Sequence, residues 1–286
     1  MEDIYSEMIA ASQKIAASFP PPRFYACCHP WMTLSRRLFS EDPQVLQCRA
    51  VVRRELKNNY GHGLDHGEKV AVEAGALICI EAEKLSCGEP ERKRAAVLAQ
   101  MAGLLHDLRR GEKDHARLGA VAAEKILQEF SFSGEEGRMI VEAIANHEAF
   151  VEPKKIESGL GRMVSDALYD ADKFRWGPDN FTLTLWEMLR YSHAPIARLI
   201  HRFPKGMKGI ARIQGTFRSE AGKTYGPEFI DLGLQIGEKI LAFLRERFAE
   251  ELAREKDGRG DAGTRRRGDA GTRGHGDAGT RGRGDG

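Results

Sequence analysis

An all-α body is predicted from three observations on the sequence. Apolar residues recur at helical spacing through most of the first 256 positions, turn signals separate the periodic stretches, and no apolar–polar alternation runs long enough for a strand. In residues 66–85, Val70, Ala74, Leu77, Ile78 and Leu85 share one stripe. Val97, Met101, Leu104, Leu105 and Leu108 do so in 91–108, and Leu118, Val121, Ala122, Ile126 and Leu127 in 116–130. Met139, Ile140, Ala143 and Ile144 mark a helix over 135–147, and further helices are expected at 160–174, 181–191 and 227–255. Cys87-Gly88-Glu89-Pro90, Gly111, residues 131–134 and Gly177-Pro178 punctuate them. Residues 202–227 lack sustained periodicity and are rich in Gly and basic residues, so they are expected to be a long loop. Its Lys205, Lys208, Arg212, Arg218 and Lys223 either face solvent or meet an anionic substrate.

Composition narrows the function. The last thirty residues repeat "GDAGTRRR", "GDAGTRGH" and "GDAGTRGR" without a large apolar side chain, and are expected to be disordered. Their seven Arg and five Asp account for the net charge of +2 on the whole 286-residue chain. The body is therefore near neutral, shows no basic stripe, and calls for no specific nucleic-acid partner. No apolar run approaches the roughly 20 residues of a membrane span. The start, "MEDIYSEMIAASQKIAASFP", is too acidic and amphipathic for a signal peptide. Cysteines at 27, 28, 48, 79 and 87 are odd in number and lack a CxxC spacing, as expected of reduced thiols in a cytoplasmic protein. GxSxG, P-loop and catalytic-Cys patterns are missing, so covalent and nucleotide-motor chemistry lack support.

Potential metal ligands gather near the expected helix ends. His62 and His66 precede the first long helix, His106-Asp107 ends the second, His115 opens the third and His147 closes the fourth. Asp170 and Asp172 follow in "DALYDADKF". In a bundle, side chains at the ends of separate helices can converge on one point. Asp107 falls at a helix C-terminus, where a carboxylate is unfavourable by a few tenths of a kcal/mol and a cation would compensate it. Imidazole with carboxylate oxygen suits zinc, iron, manganese, cobalt or nickel.

The order His66, His106-Asp107, Asp172 resembles the HD-domain superfamily of metal-dependent phosphohydrolases. "LDHGEKVAVEA" is similar to the family's opening motif and "AGLLHDLRRG" to its His-Asp motif. "DHARLGAVAAEKIL" and "IVEAIANHE" resemble the extra histidine motifs of two-metal members, and "DALYDADKF" the closing one. The resemblance covers residues 61–174, under half the chain. It implies an HD-type helical bundle over 61–200, flanked by a helical extension (1–60), a basic loop and C-terminal helix (201–256) and a disordered tail (257–286).

The resemblance further implies one or two divalent transition-metal ions (Mn, Fe, Co, Ni or Zn, with Mg also admissible). His66, His106, Asp107 and Asp172 would hold the first, while Asp107 bridges to a second completed by His115 and His147. Asp170 competes for the closing role, but two positions apart on a helix point about 200° apart. Asp172 is favoured because it directly precedes Lys173 and Phe174. Asp107 and His106 are then expected to act in catalysis. His62 is expected to join them in catalysis, beside the metal ligands or at the substrate, and Arg110 and Lys113 could meet the phosphate of a small-molecule ester. Arg109 shares that position and could equally be solvated.

The expected activity is hydrolysis of a phosphomonoester or phosphodiester, nucleotide-type substrates included. The same ligands also serve di-iron oxygenases of this superfamily, and a degenerate domain would serve as a binding or regulatory module. The Gly-Tyr-Pro signature of the cyclic-dinucleotide class is missing after His147 in "NHEAFVEPKK". The segment "QGTFRSEAGKTYGPEFIDLGLQIG" stands out as distinctive without an assigned role.

Overall fold

The computed structural model describes residues 4–55, 63–193 and 195–254, so His62 and the repeat tail lie outside the described residues. The fold is all-α, with no strand among the described residues. Four helices lead in: α1 (Ile4–Ala16), α2 (Phe24–Cys27), α3 (His29–Glu41) and α4 (Pro43–Glu55). The periodic stretches then form α5 (Leu64–Lys84), α6 (Glu89–Leu105), α7 (His115–Leu127), α8 (Gly134–Ala145) and α9 (Gly159–Phe174). A π-helical turn (Asn180–Thr184) enters α10 (Leu185–Ser192), and α11 (Ile196–Ala211) and α12 (Glu220–Arg247) follow. Contacts group Met1–Phe243 into one compact unit and Leu244–Gly286 into a second.

Helix α6 is the axis of the first unit. Every residue from Ala95 to Leu105 is buried, and α3, α4, α5, α8 and α9 all pack on it. Its run of Ala and Gly allows unusually close contact. A Cβ on Gly103 would lie 2.6 Å from the Cα of Ala71 on α5, closer than two carbons can approach. Ser35 ties the same layer together, donating to the Val72 carbonyl at 2.7 Å and accepting from Gln100 Nε2 at 2.8 Å.

Local signals explain the other ends. Ser133 and Glu136 form a reciprocal capping box at the start of α8, and Arg94 of α6 pairs with the same Glu136. At the far end of α9, Arg175 donates to both Glu73 oxygens at 2.6 Å, and Tyr25 donates to Glu73 Oε1 at 2.6 Å. Burial works to raise the Glu73 carboxyl, and Arg175 opposes that shift. This buried group locks the C-terminal end of α9 against α5 and α2.

The expected loop at 202–227 is not a loop. Its first half completes α11, residues 212–215 form a 3₁₀ turn, and α12 starts at Glu220. Helix α11 is strongly amphipathic, burying Ile196, Ala197, Ile200, Phe203 and Ile210. Pro204 and Pro227 both sit inside helices, where each removes one backbone donor but tertiary packing overrides the penalty.

Gly103→Ala is expected to force α5 and α6 apart at a cost of about 1–3 kcal/mol. Thermal unfolding should then fall by several degrees, and an unchanged Tm would contradict the close approach described above.

Candidate metal centre

Three helix ends converge beneath α6. His66 lies in the first turn of α5, His106 and Asp107 directly follow α6, and Asp172 lies in the last turn of α9. Asp114, in the left-handed conformation at φ 61, turns the chain into α7, which His115 opens. His147 follows α8, whose end is pinned by Asn146, which donates to the Lys154 carbonyl and accepts from the Lys154 amide. His66, His106, Asp107, His147 and Asp172 are all buried, and His115 is half-buried.

The donor atoms fit a metal ion. His66 Nε2 stands 3.3 Å from His106 Nε2, 3.3 Å from Asp172 Oδ1 and 3.8 Å from Asp107 Oδ2. His106 Nε2 stands 3.4 Å from Asp107 Oδ2 and 3.7 Å from Asp172 Oδ1. A tetrahedral ion with bonds of about 2.0–2.1 Å requires donors about 3.3–3.4 Å apart. The rings are oriented from behind: His106 Nδ1–H donates to the Gly103 carbonyl at 2.8 Å and His147 Nδ1–H to the Ile144 carbonyl at 2.7 Å. Each ring thereby presents Nε2 to the centre, as in metal sites whose histidines are held by backbone acceptors. His147 Nε2 is buried without a hydrogen-bond partner.

Asp107 faces two ways. Oδ2 points to His66 and His106, while Oδ1 lies 3.6 Å from His147 Nε2. Asp107, His115 and His147 form a second group whose donor atoms lie within 4.8 Å of one another. Arg110 intrudes on it, with Nη1 2.9 Å from His115 Nε2 and 3.8 Å from Asp107 Oδ1. A cation is thus already present beside the second group.

Charge is balanced unequally across the site. Burial pushes His66 down to about 4 against the opposing pull of Asp172. Burial also works to lower His106, but Asp107 and Asp172 outweigh it and raise the ring to about 10. Burial, His147 and Arg110 together bring His115 down to about 4. For Asp172, burial is overcome by Lys173, His106 and His66, which hold the carboxyl well below its usual range. Lys173 Nζ contacts Asp172 Oδ2 and donates to the His147 carbonyl at 3.0 Å, joining the two groups of ligands from behind.

The two candidate closing aspartates separate cleanly. Asp172 faces His66 and His106, whereas Asp170 turns away to accept from the amides of Arg218 and Ser219 at 2.8 Å and the Ser219 hydroxyl at 2.7 Å. Burial raises Asp170 to about 6, and those bonds oppose the rise. Among the basic residues of 202–227, Arg218 is committed to the Asn146 carbonyl and the Tyr169 ring, and Lys223 to Glu220. Arg110 lines the adjoining cavity, while Arg109 and Lys113 are exposed and do not. Lys173 and Arg202, which does line the cavity, are the additions to the site that spacing did not single out by role.

Fold and site together define an all-helical protein with a buried His/Asp centre whose donor atoms can hold a metal ion. Every motif that carries the HD-domain resemblance supplies a side chain to it. Among solved structures, the chain is similar to a predicted HD superfamily hydrolase from an uncultured Thermotogales bacterium. Identity is 20%, the match covers 72% of this chain and 97% of that one, and the TM-score is 0.44. No protein-family model and no curated protein matches the chain.

Replacing Asp172 with Ala should abolish tight metal binding while helicity by circular dichroism persists. Asp170→Ala should instead cost on the order of 1–3 kcal/mol of stability and leave the folded protein able to bind metal. Equal metal loss in both variants would contradict the assignment. Metal uptake should also release about one proton near pH 7, since His106 is protonated in the metal-free protein below about 10 and must deprotonate to ligate. Affinity accordingly rises with pH until about 10, and calorimetry in buffers of different ionisation enthalpy reads the proton directly.

Proposed function

We propose that the chain is a member of the HD-domain superfamily acting as a metal-dependent phosphohydrolase on a phosphomonoester or phosphodiester. The observation that carries this reading is the approach of His66 Nε2 to His106, Asp107 and Asp172, beside a cavity that His66, Asp172, Arg110 and Arg202 line. These four residues would hold the first ion, with Asp107, His115 and His147 available to a second. A divalent ion lowers the pKa of coordinated water from 15.7 toward about 7 and offsets charge on phosphoryl oxygens.

The chain's own side chains do the rest. Lys173 fixes Asp172 and the His147 backbone, holding the ligand set in one geometry. Arg110 presents a guanidinium whose fork matches phosphate oxygens, and its hold on His115 is the contact a bound phosphate would replace.

A screen of phosphate esters against protein loaded with Mn, Co, Ni, Mg or Fe tests the reading. At least one metal form should release phosphate or a monoester. His106→Ala should lower the rate at least about a hundredfold, because loss of even an outer partner of a metal ligand costs 10–100-fold. Iron-bound protein that consumes oxygen with substrate and hydrolyses no ester would overturn it in favour of the oxygenase class.

A further inference from the structure

The cavity above the metal centre extends well beyond the space a phosphate needs. It measures about 520 Å³, within the roughly 300–1,000 Å³ of sites that enclose whole small molecules. Its floor is His66, His115, His147 and Asp172; its far wall comes from chain that carries no ligand. That wall is Phe181, Leu185, Met188, Leu199, Phe203 and Met207, contributed by the π-helical turn, α10 and α11.

The wall follows from helical spacing. Leu199, Phe203 and Met207 fall at i, i+4 and i+8 on α11 and share its inner face. Leu185, Met188, Leu199 and Met207 are only half-buried although they line a hollow, so apolar area remains for an occupant to cover. The π-helical turn Asn180–Thr184 borders the same space, and such turns recur at functional sites. Phe150, at the mouth, is held at φ 63 and its ring packs under Arg212 at 4.5 Å. A bulky residue in that conformation is strained, and strain of this kind gathers at ligand sites. Apart from the histidines of the floor, the neutral hydrogen-bonding side chains that line the cavity are Trp176, Asn180 and Thr184, so most of the wall facing the metal centre is apolar.

We propose that the substrate is a phosphate ester of a bulky apolar alcohol, its phosphate at the metal centre and its alkyl or aryl group against α10 and α11. The phosphate end rests on the phosphohydrolase reading, while the apolar end rests on the cavity alone. In the reaction a water oxygen bonds to phosphorus, the bond from phosphorus to the alcohol oxygen breaks, and the water's proton ends on the departing alcohol.

The test uses the full chain loaded with zinc and a series of n-alkyl phosphates from methyl to dodecyl, with AMP and inorganic phosphate as comparators. Dissociation constants should fall about fourfold per added methylene until the cavity is filled, and AMP should bind more weakly than octyl phosphate. Met207→Glu and Leu199→Gln should flatten that slope, with retained zinc stoichiometry as the check on folding. A flat slope in the unaltered protein, or AMP binding more tightly than octyl phosphate, overturns the proposal even where short esters are hydrolysed. A steep slope with no ester hydrolysed overturns the phosphohydrolase reading instead and leaves the cavity an apolar binding site.

Discussion

Two carboxylates, Asp107 and Asp172, are buried within reach of the same pair of imidazoles, and much of the structure serves to make that arrangement tolerable. An unpaired buried carboxylate is costly enough that it normally takes up a proton. Here the opposite holds for Asp172, kept ionised by Lys173 and His106. In the metal-free protein the protonated His106 ring is the cation between the two acids. A divalent ion at the same point would take over that role, so the fold is built around a position that calls for positive charge in either state.

The helices are arranged to hold that point. Small residues along α6 let it approach α5 closely, which sets His66 against His106. The buried Glu73–Arg175 pair fixes the end of α9 and with it Asp172. Asp170, facing the other way on α9, receives the chain entering α12. That contact gives a structural role to the distinctive segment around Ser219: its amides and hydroxyl bind Asp170, two residues from the Asp172 that faces His66, coupling the start of α12 to the centre.

The helices from α5 to α9 were legible because each carries apolar residues at helical spacing, bounded by Gly, Pro or a capping Ser. The candidate ligands were legible because their residue types are rare together and fall at the ends of those helices. Helical angles allow only one of Asp170 and Asp172 to face His66, and the Lys173-Phe174 that follows Asp172 in the resembling motif favoured that residue. Residues 202–227 misled for an equally physical reason. Their Gly and Pro content reads as loop, yet Phe203 and Ile210 continue the buried face that Ile196, Ala197 and Ile200 begin, and that packing keeps α11 helical. The Arg110–His115 contact and the Lys173 bridge to the His147 carbonyl were likewise out of reach, because each depends on a turn or a tertiary approach that spacing does not encode.

The central claim is that these side chains hold a metal ion, and anomalous diffraction from zinc-loaded crystals addresses it most directly. The account predicts a zinc peak within about 2.0–2.2 Å of His66 Nε2, His106 Nε2 and one oxygen each of Asp107 and Asp172. A peak elsewhere, or His106 still hydrogen-bonded to the two aspartates at saturating zinc, would contradict it.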